Sequence, residues 1–237
     1  MDLADSYRTT VAARCGAAGD AGPLLPQLLS EVCVMILPVQ GAGISGTQEL
    51  RIPLGASDEV AIRAERLQST LDEGPCLTAV AISRPLAAGQ DVLAKRWPLF
   101  HSELLEQTPY RSVASVPLLT AQGGRLGALD LYSTNPEPME ESLLHTLSEG
   151  IGAPMAAMLL GNLAAGSGLP SWLSGTGAQQ RMTVWSAVGI LLGRSALDNA
   201  DALAVLRGFA FAEGTSLDDV ADRLVRREIE PEVVLGA

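Results

Sequence analysis

Two apolar, β-rich segments constrain the fold of this chain most: residues 111–120 (RSVASVPLLT) and 125–134 (RLGALDLYST), joined by the four residues AQGG. A short glycine-bearing connection between two such runs closes a hairpin, so the fold must contain an antiparallel sheet. In the first segment Val113, Ser115 and Pro117 alternate with Ala114, Val116 and Leu118. That alternation separates no wet face from a dry one, which is the pattern of a strand covered on both sides. Helices must supply the cover.

The remaining sequence contains them. Residues 2–14 and 24–37 have helical periodicity; in the second, Leu24, Leu25, Leu28, Leu29, Val32 and Ile36 form a stripe opened by Gly22-Pro23 and stopped by Pro38. GAGIS (41–45) and ELRIPLG (49–55) read as a hairpin, with Pro53 favouring a sheet edge. Residues 58–70 suit a helix with acids in its first turn, where the helix dipole favours them. Gly74-Pro75 breaks the chain and starts another helix, with Cys76 in its first turn, a position that tends to lower a thiol pKa. A short strand in 84–93, one helix over 96–108, the hairpin and a long helix over 139–164 complete an α+β domain with a mainly antiparallel sheet. This domain takes residues 1–164, with its core at about 20–163. The Gly- and Ser-rich stretch 165–178 reads as a linker, and 179–237 as a compact three-helix unit.

Composition narrows the functional classes. The net charge is −11, and residues 166–237 hold six Lys and Arg against nine Asp and Glu, a balance of −3. Neither part is a basic surface, so any nucleic-acid contact needs a local patch. Three scattered cysteines, Cys15, Cys33 and Cys76, without CxxC spacing fit a reducing cytoplasm and no structural metal. No apolar run reaches the roughly 20 residues of a membrane-spanning helix, so no membrane partner is expected. His101 and His145 lack partners at metal or triad spacing, and no acid pair is placed for acid–base work; no catalytic residue is assigned and a non-enzyme is expected.

The larger domain resembles a GAF domain, a small-molecule-sensing fold. The resemblance rests on GAGIS, LQSTLDEGPC (67–76), the Arg96-Trp97-Pro98 and Phe100 cluster, and SVPLL…RLGALDLYS. The C-terminal unit resembles an ANTAR domain, a three-helix RNA-binding unit of transcription antiterminators. That match covers about 176–228, through Arg181, Val184, Ala187, Gly189, Ile190, Leu191, Ala202, Leu206, Arg207, Ala210, Leu217, Val220, Ala221 and Val225. Together they resemble actinobacterial regulators that place GAF before ANTAR. Where ANTAR domains commonly read Ala-Lys-Gly, this chain has Ala187-Val188-Gly189.

The resemblance implies a ligand pocket under the segments 72–83 and 90–104, lined by Gly74, Cys76, Asp91, Trp97 and Phe100. Its ligand, a small molecule or a redox signal, is left open; the signature of cyclic-nucleotide-binding GAF domains is not recognisable. In the C-terminal unit Leu217, Val220, Ala221, Leu224 and Val225 mark a buried face. Arg223, Arg226 and Arg227 project beyond it and, with Arg181, Arg194 and Arg207, are the candidate RNA contacts. The competing expectation ties Arg223 to Asp219 and Arg226 to Asp222 as i, i+4 pairs on a solvated helix. It makes the acidic unit a dock for a protein partner. Trp185 reads as core. A homodimer through the N-terminal segment and the helix over 139–164 is implied by the resemblance.

Overall fold

The structure is a computed structural model, and it describes residues 2–15, 21–47, 51–161, 168 and 170–236. Five antiparallel strands form one sheet: β1 (Gly41–Thr47), β2 (Arg51–Ala56), β3 (Leu86–Ala88), β4 (Ser112–Leu119) and β5 (Arg125–Ser133), in the order β2-β1-β5-β4-β3. The hairpin that dominates the sequence sits inside the sheet, with Ser112 opposite Ser133 and Val116 opposite Leu129. Pro53 lies on the edge strand β2, where a missing N–H costs least.

Helices cover both faces. On one side lie α1 (Leu3–Cys15) and α2 (Leu25–Ile36), whose residues Leu25, Leu29, Val32 and Cys33 are buried. Beside them runs a continuous helix from 141 to 161, made of α7 (Glu141–Leu147), a π-helical turn (Ser148–Gly152) and α8 (Ala153–Gly161). They enclose Ile44, Val116, Leu118, Leu129 and Leu131 from the sheet. Each such side chain contributes about 1.5–3 kcal/mol on burial, which makes this layer the main store of stability. The helix over 141–161 is long and apolar enough to cross a membrane by composition, contrary to the expectation from sequence. Leu144, Leu147, Ile151, Met155 and Leu159 are instead packed into this core.

On the opposite side lie α3 (Glu59–Leu71), α4 (Pro75–Ile82), α5 (Gln90–Arg96) and α6 (Pro98–Gln107). Asp58 caps α3 by accepting from the N–H groups of Val60 and Ala61, both at 2.8 Å. The helix expected over 96–108 is α6, opened by Pro98, which forces Trp97 out of helical geometry (φ −139°, ψ 67°). The strand expected within 84–93 is confined to Leu86–Ala88, and α5 takes the residues from Gln90 on.

The C-terminal unit consists of α9 (Thr176–Leu192), α10 (Asn199–Ala212) and α11 (Leu217–Val225), followed by a short α12 (Pro231–Leu235) that the sequence reading lacked. Ser216 caps α11 by accepting from Asp219 N–H at 3.1 Å and donating to its carboxylate at 2.6 Å. Leu217, Val220, Ala221 and Leu224 are buried as expected, but Val225 is 38% exposed. At about 100° per residue Val225 lies roughly 80° from Leu217 and falls off the stripe. The helix also ends there, with Arg227 at φ +60°.

This unit does not stand apart from the sheet. Ile52 of β2 belongs to the same core cluster as Val184, Leu191, Leu206 and Leu224. The glycines read as linker chemistry serve close approach. A side chain at Gly177 would come within 2.2 Å of the Pro53 carbonyl, and one at Gly175 within 2.9 Å of the Pro23 carbonyl. Trp172 Nε1 donates to the Leu159 carbonyl at 2.8 Å, fastening the segment to α8. Residues 165–167 and 169 of that stretch lie outside the described residues.

Candidate functional site

Beneath α3 and α4 the sheet presents polar side chains instead of apolar ones. The period-two alternation that sends Leu129 and Leu131 to the helical layer opposite sends Asp130 and Tyr132 here, with Ser45 from β1 and Ser115 from β4. Arg51 enters from β2, and Glu65, Gln68 and Ser69 descend from α3. All of these side chains are buried.

Arg51 is the hub. Its Nη2 donates to Glu65 Oε2 at 2.8 Å and to Asp130 Oδ2 at 3.0 Å, while Nη1 donates to the Glu65 carbonyl at 2.7 Å and Ser69 Oγ at 3.1 Å. Its Nε faces Cys76 Sγ at 3.0 Å. The carboxylates have further donors: Tyr132 OH to Glu65 Oε1 at 2.6 Å, Ser45 to Glu65, Ser115 to Asp130, and Gln68 Nε2 to Asp130 Oδ2 at 2.9 Å. Gln68 Oε1 in turn accepts from the Cys76 N–H at 3.2 Å, tying the start of α4 to α3. Two close approaches of backbone make room. A side chain on Gly43 would meet Glu65 Cγ at 2.5 Å, and one on Gly74 (φ +150°) would meet Gln68 Oε1 at 2.2 Å.

One guanidinium faces two carboxylates, so the cluster carries an excess negative charge unless one carboxyl holds a proton. Burial pushes Asp130 up to about 7, the neighbouring Glu65 carboxylate adds to this, and Arg51 and the Ser115 hydroxyl oppose it. Burial alone would lower the Arg51 pKa, but Cys76, Glu65 and Asp130 together raise it, so its charge is secure. Burial raises the Cys76 thiol well above its ordinary value, more than Arg51 lowers it. The low thiol pKa expected from a helix start is thereby corrected: loss of water outweighs the helix N-terminus and the cation.

The sequence-derived pocket residues divide. Gly74 and Cys76 border this cluster. Trp97 and Phe100 are buried in an adjacent apolar cluster with Leu93, Leu104, Tyr110 and Tyr132. Asp91 is exposed in the first turn of α5, away from the others, because α5 turns its Leu93 inward and its acid outward. Arg51, Glu65, Gln68 and Asp130 escaped the sequence reading. Their signal was a lone charge inside each of two apolar strands, RIPLG and GALDLYS, with a carboxylate and an amide three residues apart on one helix.

The candidate RNA contacts also divide. Arg207 is drawn into the boundary with the sheet domain: its Nη1 lies 2.9 Å from Asp72 Oδ2, and its Nε donates to the Ser69 carbonyl at 3.3 Å. Asp72 holds that position with a left-handed backbone (φ 52°) at the end of α3. Arg194 pairs with Glu232 at 3.3 Å and Arg226 with Asp222 at 3.0 Å. The expected Asp219–Arg223 pair is not formed, because Asp219 is occupied by Ser216 and Thr215 at the helix cap. Among the described residues, Arg223 and Arg227 have no ion-pair partner. Arg181 lies in α9, its side chain outside the described residues. Val188 is buried in the bundle core, so a lysine there would have to bury its stem among apolar side chains. Trp185 is half-buried against the same core.

Comparison with known proteins follows the geometry. The family model of the GAF domain matches residues 22–155, more than half of the chain. Among solved structures, the GAF domain from a phosphoenolpyruvate-protein phosphotransferase (ptsP) of Coxiella burnetii superposes with a TM-score of 0.50 at 14% identity, covering 66% of this chain and 92% of that one. The GAF domain of the Acinetobacter phosphoenolpyruvate-protein phosphotransferase gives 0.47 at 13%, covering 68% and 98%. A free methionine-R-sulfoxide reductase from Neisseria meningitidis, in complex with its substrate, gives 0.44 at 16%, covering 67% and 88%. At these identities the likeness is one of fold. No curated protein matches the sequence.

Proposed function

The chain belongs to the GAF domain family, and on that premise we propose that it is a cytoplasmic, signal-responsive regulator whose C-terminal helices are an ANTAR-like unit binding RNA in transcription antitermination. The observation that carries this reading is the double role of α3. One side of that helix supplies Glu65, Gln68 and Ser69 to the buried cluster. The other side holds the C-terminal unit: Thr70 Oγ1 accepts from Leu217 N–H at 3.0 Å, Arg66 stands 3.7 Å from Asp218, and Asp72 pairs with Arg207. A signal that shifts α3 at the cluster would alter how the helices are held, a population shift between docked and released arrangements. Docking withholds Arg207, while Arg223, Arg226 and Arg227 stay on the outer end as phosphate contacts.

The protein acts as a regulator and not as an enzyme; Cys76, buried with a raised pKa, is a poor nucleophile. The ligand of the GAF domain is a small molecule. A homodimer is proposed through the N-terminal segment and the helix over 141–161, which exposes the apolar Leu160; it would present two C-terminal units at once. The test is a filter-binding titration of the full chain against transcripts of neighbouring operons at several salt concentrations. Salt-sensitive binding that weakens in Arg226→Ala is expected. Salt-insensitive or absent binding overturns the RNA assignment.

A second reading, that the C-terminal unit docks a protein partner, is favoured by one fact: Arg194, Arg207 and Arg226 are each already paired with an acid. Binding of RNA that is unaffected by Arg223→Ala with Arg227→Ala would favour it.

A further inference from the structure

Between the sheet domain and the C-terminal helices lies a cleft of about 320 Å³, bounded by α3, α6 and the turn from α10 into α11. It is separate from the buried cluster under the sheet and does not depend on whether the helices bind RNA. A cavity of this size at a boundary between two packed units is at the small end of ligand sites.

Its lining has a definite electrical layout. Arg63 and Arg66 stand on α3, while Glu103 comes from α6 and Asp219 from α11. Two positive and two negative side chains give no net charge, with opposite signs on different elements. Leu67, Leu71 and Phe211 supply apolar surface, and Phe211 is 47% exposed, unusual for so large an apolar side chain.

The arginines retain unused donors. Arg66 Nε is buried with no hydrogen-bond partner among the described residues; Asp218 at 3.7 Å is too far to accept from it. A buried donor left unpaired is costly, and a carboxylate entering the cleft would relieve it. Arg63 spends Nη1 on the Gln107 carbonyl at 3.1 Å, and a guanidinium has five N–H donors in all. On the acidic side, Glu103 accepts from Gln107 Nε2 at 2.7 Å and Asp219 accepts from Ser216 and Thr215. Each carboxylate has about four lone-pair sites, so both have room for an ammonium group.

We infer that this cleft binds a small zwitterion with an apolar side chain, an α-amino acid in chemical class. Arg63 and Arg66 take its carboxylate, Glu103 and Asp219 take its ammonium group, and Leu67, Leu71 and Phe211 take its side chain. Because the walls belong to both units, the bound molecule bridges them and favours the docked arrangement.

Isothermal titration of the full chain tests this with L-phenylalanine, N-acetyl-L-phenylalanine and phenethylamine, which carry both charges, only the negative and only the positive. Saturable binding of L-phenylalanine is expected, weakened about tenfold or more when either charge is removed, the loss of one charge-assisted hydrogen bond. Arg66→Gln and Glu103→Gln should each weaken L-phenylalanine by a similar factor. Since Arg66 also faces Asp218, Arg63→Gln, at an exposed position, provides the same test without touching that contact. Absence of saturable L-phenylalanine binding overturns the inference. So does equal affinity for N-acetyl-L-phenylalanine, or wild-type affinity in both Arg63→Gln and Glu103→Gln.

Discussion

Arginine meets aspartate and glutamate in two places here, with opposite consequences. Under the sheet, Arg51 is enclosed with Glu65 and Asp130, their side chains at most 1% exposed. At the end of α11, Arg226 pairs with Asp222 in nearly the same geometry, 3.0 Å, but with 65% and 46% of the side chains exposed. Coulomb attraction at equal distance is screened by water in one case and unscreened in the other. The buried set cannot lose a member without stranding a charge. The exposed pair can exchange its partner for a phosphate at little cost. Burial thus makes one group a fixed frame and leaves the other available for binding.

The sharpest way to break this contrast is Arg51→Ala. Removing the hub leaves two buried carboxylates without their cation, and a loss of about 3–5 kcal/mol is expected in urea unfolding. A change below about 1 kcal/mol would show that water already reaches the cluster. Next in size is Arg207→Ala, which removes a partly buried, charge-assisted contact between the units. A loss of about 1.5 kcal/mol is expected, read most directly as faster amide exchange in α10 and α11. Arg226→Ala should change stability by no more than about 0.5 kcal/mol, while still weakening RNA binding.

The pH dependence sharpens the same comparison. Asp130 titrates at about 7 in the folded chain, above its unfolded value of about 3.9. The protonated carboxyl therefore favours the fold fully below about pH 4, and this contribution fades as pH rises through 7. Asp218, raised to about 6 chiefly by burial, acts in the same direction over a narrower window. Urea midpoints should fall between pH 5 and pH 8 in the wild type. Asp130→Asn should remove the larger part of that fall, leaving the part due to Asp218. An unchanged slope in the variant would place the proton elsewhere.

Much of the architecture was legible because periodicity reports burial directly. The hairpin over 111–134, the stripe of α2 and the Ser216 cap each follow from spacing within one segment. The cluster was not legible, because Arg51, Glu65 and Asp130 come from β2, α3 and β5 and meet only once the strand order β2-β1-β5 is known. A lone charge in an apolar strand signals a buried partner without saying which. Gly175 and Gly177 were misread for a related reason: glycine marks both loose linkers and tight backbone contact, and only the neighbours distinguish them. Trp97 and Phe100, expected as pocket walls, are buried with Leu93 and Leu104, and sequence does not tell a lining side chain from a filling one.

The most direct test of the central claim, that α3 holds back an RNA-binding unit, is the salt dependence of RNA binding in Asp72→Ala against wild type. Asp72 is half exposed, so its removal frees Arg207 without opening a core. Tighter binding with a log–log salt slope steeper by about 0.7–0.9 is predicted, the value of one further phosphate contact. The same affinity and slope in both proteins would contradict it.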